Sequence, residues 1–363
     1  MSVKIIMAGG GTGGHIFPAI AIANAIKKLR PDAEILFVGA NGKMEMEKVP
    51  QAGFKIKGLD IIGFNRSSLI KNIGLPFKLV KSFLQVRTII NQFRPDAVIG
   101  VGGYSSFPVL RFAQNKNIPT FIHEANSFAG KANQMLGKKA TKVFVATDGM
   151  QIFFPLKKLM VTGNPVRDSI AHSIVAREEA VQFFGLDPTR KTVLVVGGSL
   201  GAKSINEAID NGIDEFAYNH LQLIWQTGKH YAETAKKRVE AKTNVWVNEF
   251  ITQMEQGYAA ADVIVSRAGA MAIAEICLTA KPTVFVPFPF ASEDHQTANA
   301  QYLVDRNAGL LVINNDAKEK LVSTIIELLN DEAKQNELTE NIKKLGMADA
   351  DVVIAKEVLQ LIS

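Results

Sequence analysis

The stretch from Ala8 to Ala23, AGGGTGGHIFPAIAIA, constrains the fold of this chain more than any other. The apolar run at 3–7 predicts a buried strand, and Pro18 opens an alternation of Ala and Ile that predicts a helix with proline in its first turn. A glycine-rich turn between them exposes backbone N–H groups at the positive end of a helix dipole. The turn therefore suits anionic oxygens, and His15 places a titratable side chain beside it.

Gly9, Gly11 and Gly14 also fit the pattern G-x-G-x-x-G of dinucleotide-binding domains. Such a site needs an acidic residue at the end of the second strand, where it holds the ribose hydroxyls. The predicted second strand, 34–38, leads into the segment 39–42, which has no carboxylate. The sequence therefore disfavours a dinucleotide cofactor. It leaves open another anionic ligand and a tight turn without a ligand.

Length and composition limit the number of domains and the class of protein. A length of 363 residues favours two domains, and 47% hydrophobic with 21% charged residues is typical of a soluble globular protein. The single cysteine, Cys277, cannot form an internal disulfide, which fits a reducing cytoplasm, and its apolar neighbours predict a core residue. No apolar run reaches the ~20 residues that span a bilayer. A strand so close to the N-terminus leaves no room for a signal peptide.

The charges are distributed unevenly. Residues 1–165 carry 22 Lys and Arg against 8 Asp and Glu, whereas residues 166–363 carry 19 against 27. This asymmetry suggests that the first half faces an anionic partner, either nucleic acid or a membrane surface. Aromatic residues are not interleaved with the cations as a single-strand-binding surface requires, so a membrane is favoured over nucleic acid. An ordinary solvated lysine surface is the alternative.

Short apolar runs alternate with helical segments in both halves, which predicts two doubly wound parallel sheets covered by helices, an α/β fold. Domains are expected at 1–164 and 165–346, with a hinge at 163–165 and the C-terminal segment 347–363 returning to the first domain. The predicted strands are 3–7, 34–38, 54–59, 96–100, 120–123, 142–145, 193–196, 221–225, 244–247, 262–265, 283–286 and 309–312.

Glycine-rich or polar segments follow several of these strands, namely 102–106, 123–126, 197–202 and 267–270. Ligands of open parallel sheets bind beyond the carboxyl ends of the strands. The distribution of these segments therefore favours a ligand held between two similar domains.

Seven motifs occur in order over almost the whole chain: GGGTGGHIFPAIAIA, GGYSSFP, HEAN, TGNPVR, GGSLGA, SRAGAMAIAE and HQTANA. Together they resemble the MurG family of family-28 glycosyltransferases, the undecaprenyl-diphospho-muramoylpentapeptide N-acetylglucosaminyltransferases of peptidoglycan synthesis. The resemblance implies a GT-B fold, in which two Rossmann-like domains face a cleft. It implies inverting transfer of GlcNAc from UDP-GlcNAc to the muramoyl 4-hydroxyl of undecaprenyl-linked lipid I, giving lipid II. It also implies a peripheral location on the cytoplasmic face of the inner membrane.

By the same resemblance, the second domain holds the nucleotide sugar. Ser199 and adjacent glycine amides would meet the diphosphate, Glu275 the ribose hydroxyls, and Gln296 the GlcNAc hydroxyls. Ile251 matches the uracil contact, and Arg167 matches a donor-site arginine. The implied donor residues are Thr12, Gly13, Gly14, Asn126, Arg167, Ser199, Ile251, Ala270, Met271, Ala272, Ile273, Ala274, Glu275 and Gln296, and the implied acceptor residues are Tyr104 and Asn133.

Three of these residues have an ordinary structural alternative. Glu275 could be a solvated helix residue, and Ser199 a helix N-cap. Arg167 could be one partner of a surface ion pair, worth only ~0–1 kcal/mol.

The chemistry needs a base for the acceptor hydroxyl and stabilisation of the UDP leaving group. His15 is our first choice for the base, because imidazole has an unperturbed pKa of about 6.5. Glu124 and His123 are alternatives, and a carboxylate could also orient an imidazole. His15 itself could instead position the acceptor or pack in a core. The D-x-D match at 349–351 opens a helix rather than following a strand, so we expect no metal and no other cofactor.

The basic first half fits a lipid-linked acceptor. The stretch 66–81 mixes large apolar side chains with cations, a composition suited to resting on an anionic leaflet. In the helix predicted after Pro76, the apolar residues Leu79, Phe83, Val86 and Ile90 have the spacing of a face that packs on the core. The alternative is that the whole stretch covers the domain's own core. The expected membrane contacts are Leu69, Ile70, Lys71, Ile73, Leu75, Phe77, Lys78 and Lys81.

Two other functions remain open. A UDP-GlcNAc epimerase would share the architecture, but the basic, apolar stretch 66–81 and the loop at His15 argue against it. A non-catalytic nucleotide-sugar-binding adapter at the membrane is the second alternative.

Overall fold

The computed structural model describes residues 2–63, 75–198 and 200–362. Contacts group the chain into two compact units, one formed by 1–166 with 349–363 and the other by 167–348. Each unit is built on its own parallel sheet. The predicted α/β class with two parallel sheets is confirmed.

The strands form where the sequence has short runs of β-branched and other apolar residues, which suit a sheet that is buried on both faces. One additional strand, β7, has only three residues and was not predicted. The strands of the first sheet are β1 (Lys4–Ala8), β2 (Glu34–Ala40), β3 (Lys55–Leu59), β4 (Ala97–Gly100), β5 (Thr120–Glu124), β6 (Lys142–Val145) and β7 (Leu159–Val161). Those of the second are β8 (Thr192–Val196), β9 (Gln222–Gln226), β10 (Val245–Asn248), β11 (Val263–Ser266), β12 (Thr283–Phe285) and β13 (Leu310–Leu311).

Most helices connect successive strands, the last three helices follow the last strand, and short 3-10 turns lie among them in the described ranges. The helices are α1 (Gly13–Leu29), α2 (Glu45–Gln51), α3 (Leu75–Phe93), α4 (Ser106–Asn115), α5 (Lys131–Gly137), α6 (Asp168–Ala171), α7 (Arg177–Phe183), α8 (Lys203–Asn211), α9 (Ile213–Tyr218), α10 (Ala232–Val239), α11 (Met254–Ala260), α12 (Ala270–Thr279), α13 (His295–Val304), α14 (Ala317–Asn330), α15 (Glu332–Lys343) and α16 (Ala350–Leu361). The 3-10 turns are Met150–Ile152, Leu156–Lys158, Ser292–Asp294 and Asn314–Asp316.

Both sheets have the same doubly wound arrangement. Within the described ranges, the first sheet has the order β3-β2-β1-β4-β5-β6-β7 and the second the order β10-β9-β8-β11-β12-β13. The direction of winding therefore reverses between β1 and β4 in one sheet and between β8 and β11 in the other. Loops at such reversal points diverge beyond the carboxyl ends of the strands and leave room for a ligand.

The core of the first unit lies on both faces of its sheet. Ile6 belongs to a cluster that includes Val86 and Ile90 of α3. Ile5 faces the opposite layer, in a cluster with residues of α1 and with Ile354 of α16. Helix α16 packs along α1, and this contact returns the end of the chain to the first unit. An ion pair of 2.9 Å between Lys142 and Glu357 adds to it.

Cys277 lies in α12 and is buried, as predicted for a core residue. Burial raises the pKa of its thiol to about 12, which keeps the sulfur protonated. In the part of the chain that the structure describes, no helix is both long enough and apolar enough to cross a bilayer.

Candidate active site

A cavity of about 1100 Å³ opens at the reversal point of the second sheet. Its floor includes the loop after β8, where Gly198 and Gly201 have φ angles of +84° and +80°. A β-carbon on Gly201 would overlap the carbonyl oxygen of Thr227, so the close approach of these two loops requires glycine. Ser199, which we assign to this loop, lies outside the described residues.

Glu275, on α12, lies in this cavity with two partners. Its Oε1 accepts from Nε and Nη2 of Arg167, at 3.1 and 3.0 Å. Its Oε2 accepts from the phenol of Tyr258 at 2.9 Å. Burial raises the pKa of Glu275, while the charge of Arg167 and the hydrogen bonds from Tyr258 and Arg167 oppose that rise. Glu275 is 8% exposed, so it is not a solvated helix residue.

Of the other residues predicted to bind the donor in the second unit, some line this cavity, whereas Ile251 and four residues of α12 do not. Arg167, Ala272 and Gln296 line the same cavity as Glu275, and Gln296 Oε1 accepts from the backbone N–H of Phe288 at 2.9 Å. Ile251 is buried, and its N–H donates to Gln226 Oε1 at 3.0 Å. The other residues predicted on α12 are half-buried and do not line the cavity; they are Ala270, Met271, Ile273 and Ala274.

Many residues that line this cavity were not selected from the sequence, Tyr258 and Arg267 among them. Tyr258 lies on α11, and Arg267 follows β11. Arg267 donates at 2.9 Å to the carbonyl oxygens of Val286 and Pro287 and to Asn314 Oδ1. Burial lowers the pKa of Arg267 to about 10. Its position directly after a strand was the available signal, whereas nothing in the spacing of Tyr258 indicated a role.

In the first unit, the glycine-rich loop after β1 is held by a carboxylate that sequence analysis missed. Glu45, on α2, is 1% exposed. Its Oε2 accepts from the N–H of Gly11 at 2.9 Å and its Oε1 from the N–H of Ala40 at 3.0 Å. A β-carbon on Gly10 would overlap this carboxylate. The expectation that the loop presents its N–H groups to an anionic ligand is therefore wrong at Gly11, whose N–H is already bonded.

His15 lies in the first turn of α1, beside this loop. Its Nδ1 is 3.1 Å from Thr12 Oγ1. Its ring lies against Gly102, where an added β-carbon would come within 2.8 Å of Nε2. The imidazole is half-buried, so it is not a fully enclosed core histidine. Gly13 and Gly14, also predicted to contact the donor, begin the same helix.

Glu124, at the end of β5, is enclosed by N–H donors from the loop that follows it and from α5. Oε1 accepts from the backbone and side-chain nitrogens of Asn126, at 3.2 and 3.3 Å. Oε2 accepts from the N–H of Gly130 at 3.1 Å and from Asn133 Nδ2 at 2.8 Å. Burial raises the pKa of Glu124, and these hydrogen bonds oppose the rise. This arrangement favours a role in shaping the loop over a role as the base.

His123 is also enclosed. Its Nε2 is 3.4 Å from the carbonyl oxygen of Gly163, and the side chain is 1% exposed. Burial lowers the pKa of His123 to about 4, so the imidazole is neutral near pH 7. Of the three base candidates, His15 is the one whose side chain is not enclosed.

Tyr104, which we assign to the acceptor, follows β4 and is half-buried. Its hydroxyl is buried and has no hydrogen-bond partner among the residues that the structure describes. Burial and the charge of Glu45 raise the pKa of this phenol.

The helix expected to contact the membrane is α3. Leu79, Phe83, Val86 and Ile90 are buried or half-buried, which confirms their core-facing spacing. Phe77, Val80 and Leu84 are exposed along another side of α3, with Lys78 also exposed. Lys81 forms an ion pair of 2.8 Å with Asp60. Leu75 begins α3, but its side chain lies outside the described part, as do residues Leu69, Ile70, Lys71 and Ile73 altogether.

Among the described residues, no group of three or more His, Cys, Asp or Glu side chains is placed to hold a metal ion. Asp349 and Asp351 lie at the start of α16.

Two family models match the chain. The glycosyltransferase family 28 N-terminal domain matches residues 5–145, and the C-terminal domain of the same family matches residues 192–354. The second match extends into α16, although that helix packs on the first unit.

Whole-chain comparisons agree with these matches. A UDP-N-acetylglucosamine–N-acetylmuramyl-(pentapeptide) pyrophosphoryl-undecaprenol N-acetylglucosamine transferase of Phocaeicola vulgatus is 50% identical, covering 99% of this chain and 96% of that protein. The crystal structure of Acinetobacter baumannii MurG superposes with a TM-score of 0.82 at 27% identity, covering 99% of both chains. A UDP-GlcNAc 2-epimerase of Neisseria meningitidis shares only the fold, with a TM-score of 0.67 at 16% identity over 99% of this chain and 100% of that one. The chain therefore belongs to the MurG family of glycosyltransferase family 28.

Proposed function

We propose that this protein transfers GlcNAc from UDP-GlcNAc to the 4-hydroxyl of the muramoyl sugar of lipid I, with inversion at the anomeric carbon, giving lipid II. The observation that carries the proposal is the 50% identity over nearly the full length of a relative named for this transfer. The cavity in the second unit supports it, because a carboxylate, a guanidinium and an amide converge there.

The donor nucleotide is assigned to that cavity. Glu275 accepts hydrogen bonds from the ribose hydroxyls, Gln296 contacts the GlcNAc hydroxyls, and Ile251 contacts the uracil. The diphosphate lies at the loop after β8 and the N-terminus of α8, where backbone N–H groups and the helix dipole favour negative charge. Arg167, Ser199 and the residues at the start of α12 complete the donor site.

His15 serves as the general base. The 4-hydroxyl oxygen attacks the anomeric carbon as its proton passes to the imidazole. The bond between that carbon and the diphosphate oxygen breaks, and UDP leaves with the bonding electron pair. Thr12 orients the ring through Nδ1. Glu124 holds Asn126 and Asn133 in place around its carboxylate. Thr12, Gly13, Gly14 and Asn126 are assigned to the donor from the first unit, and Tyr104 and Asn133 to the acceptor.

The reaction is independent of a metal ion. The leaving diphosphate is stabilised by the N-terminus of α8, by the backbone amides of the preceding loop and by Arg167. Transfer that persists in the presence of a chelator supports this assignment, and loss of transfer that Mg²⁺ or Mn²⁺ restores would refute it.

The first unit binds the cytoplasmic face of the inner membrane peripherally. Phe77, Val80 and Leu84 are exposed on α3 beside Lys78, and residues 1–165 carry a large excess of cations. Apolar insertion combined with attraction to anionic lipids is a common mode of reversible binding. The partners are UDP-GlcNAc, lipid I and the anionic membrane surface, with no role for nucleic acid.

The decisive experiment incubates the protein with radiolabelled UDP-GlcNAc and a lipid I analogue, with and without EDTA. The expected product is the β-linked disaccharide lipid in both reactions. Conversion of UDP-GlcNAc to its C2 epimer without glycosyl transfer would instead identify an epimerase. Binding of UDP-GlcNAc with no turnover would identify an adapter.

A further inference from the structure

Tyr258 occupies a position in the donor cavity that the transfer chemistry does not use directly. The side chain is 2% exposed and lies on α11, while Glu275 lies on α12. Its phenol donates to Glu275 Oε2 at 2.9 Å. Both residues line the cavity.

The two oxygens of Glu275 therefore have different partners. Arg167 donates twice to Oε1, and Tyr258 donates to Oε2. A carboxylate has about four acceptor positions, two on each oxygen, so Arg167 fills those of Oε1 while Oε2 can still accept a hydrogen bond from a ligand. With a donor fixed at each oxygen, the plane of the carboxylate is set before a ligand arrives. Removing the phenol would leave only the Arg167 contacts, both at one oxygen, to hold that orientation.

We propose that Tyr258 is a positioning residue for donor binding: its phenol holds the Glu275 carboxylate in the orientation that receives the ribose hydroxyls. This inference rests on the proposed function, which assigns those hydroxyls to Glu275. Because the contact lies at the ribose rather than at the reacting carbon, it affects donor affinity and leaves the transfer step unchanged.

The electrostatics of the site support this role. The groups that act on the Glu275 carboxyl are Arg167, which precedes α6, and Tyr258, on α11. Both lower the pKa of Glu275 against the effect of burial. Loss of the phenol should therefore raise the pKa of Glu275 further. As the pH is lowered, donor binding should then begin to weaken at a higher pH than in the unaltered protein.

The test compares Tyr258→Phe with Tyr218→Phe, which makes the same chemical change at an exposed tyrosine of α9. UDP binding is measured by calorimetry, and donor KM and kcat with a lipid I analogue. For Tyr258→Phe we expect Kd for UDP and donor KM to rise about five- to tenfold, with kcat within about twofold. The acid limb of the affinity profile should move to higher pH. Tyr218→Phe should match the unaltered protein in each measurement.

A UDP analogue that lacks both ribose hydroxyls gives the internal control. The unaltered protein and Tyr258→Phe should bind it equally, because the contact that Tyr258 supports is missing from the ligand. If Tyr258→Phe does not fold, as judged by circular dichroism, Tyr258→Met takes its place with the same expectation, since Met fills irregular space without a strong donor.

The variant Glu275→Gln distinguishes failure of the proposed donor site from failure of the positioning role of Tyr258. If neither Glu275→Gln nor Tyr258→Phe changes UDP binding, the proposed donor site itself is wrong. If Glu275→Gln weakens UDP binding and Tyr258→Phe does not, the positioning role of Tyr258 is overturned. A fall in kcat at unchanged donor KM, or an equal loss of affinity for the analogue without ribose hydroxyls, would overturn it as well.

Discussion

His15 is the residue on which the proposed chemistry most directly depends. Its ring is held between Thr12, at 3.1 Å from Nδ1, and Gly102, where only glycine leaves room for it. Glycine is also required there because φ is +93°. The loop after β4 thus fixes an imidazole that the sequence supplies 87 residues earlier in the chain.

We expect His15→Gln to lower kcat by about 10²- to 10⁴-fold, the usual contribution of a positioned general base. Kd for UDP should stay unchanged, because the cavity assigned to UDP is lined by residues of the second unit. Steady-state kinetics and calorimetry check the two values. His172→Gln, at an exposed histidine, is the matched control. Full activity of His15→Gln would exclude His15 as the base.

His123 gives the first unit a stability that depends on pH. Its pKa is about 4 in the folded protein, because burial disfavours the charged imidazole, against about 6.5 when exposed. The unfolded state therefore binds more protons between these pH values. The contribution of His123 to the free energy of unfolding is fully present above about pH 6.5 and declines as the pH falls towards 4. Urea unfolding should show a loss of about 2 kcal/mol from this group between pH 7.5 and pH 5. In His123→Gln that part of the loss should disappear, and an identical pH dependence in both proteins would contradict the assignment.

At the scale of secondary-structure elements, Glu45 ties α2 to two separate segments. One carboxylate joins the end of β2, through Ala40, to the glycine-rich loop after β1, through Gly11. The sequence has no carboxylate directly after the second strand, and this led us to disfavour a dinucleotide. The nearest acid on that side is Glu45, and it is already engaged by backbone N–H groups. The Glu45 carboxylate therefore holds the glycine-rich loop in place by hydrogen bonds.

Replacing Glu45 with Gln keeps the size of the side chain but allows it to accept only one of the two N–H bonds well. The other N–H would face an amide donor, which costs about 1–3 kcal/mol when buried. We expect that loss in the free energy of unfolding, together with reduced kcat, because the loop leads directly to Thr12 and His15. Glu47→Gln, on the exposed side of α2, should change stability by less than about 0.5 kcal/mol. Equal stability of the two variants, measured by urea unfolding, would argue against a stabilising role of the Glu45 carboxylate.

At the scale of the whole molecule, the excess of positive charge and the exposed apolar residues of α3 occur in the same half of the sequence. Residues 1–165 carry 22 cations and 8 anions, and the exposed apolar residues of α3 belong to that half. Electrostatic attraction alone is screened within about 8–10 Å in physiological salt. The proposed membrane binding therefore requires apolar contact in addition to electrostatic attraction.

Phe77→Ser combined with Leu84→Ser should weaken binding to phosphatidylglycerol vesicles at least about tenfold, because each buried CH₂ contributes ~0.8 kcal/mol. Sedimentation with vesicles measures the partitioning, and raising the salt should weaken it further. Ile174→Ser, at a 98% exposed residue of the second unit, is the control and should leave binding unchanged. Equal partitioning of the double variant and the unaltered protein would remove α3 from the membrane contact.

Much of the fold could be predicted because its signals are local. Apolar runs such as that before Gly9, and glycines directly after strands, indicate which segments form strands and where turns begin. The short strand β7 was missed because three residues are too few to give a pattern. Arg167 and Glu275 were selected as site residues only through the resemblance of their motifs, and spacing alone would not have paired them.

The sequence by itself determined the two parallel sheets, the glycine turns at their strand ends and, through seven ordered motifs, the family. Tertiary structure alone decided which distant groups meet: the Glu45 carboxylate with the backbone N–H of Gly11, and the side chains of Tyr258 and Arg167 with Glu275. The physical reason is that strand and helix formation depends on neighbours within a few residues. The contacts at the end of a sheet instead depend on strand order, which brings together residues as far apart as 108 positions in the chain.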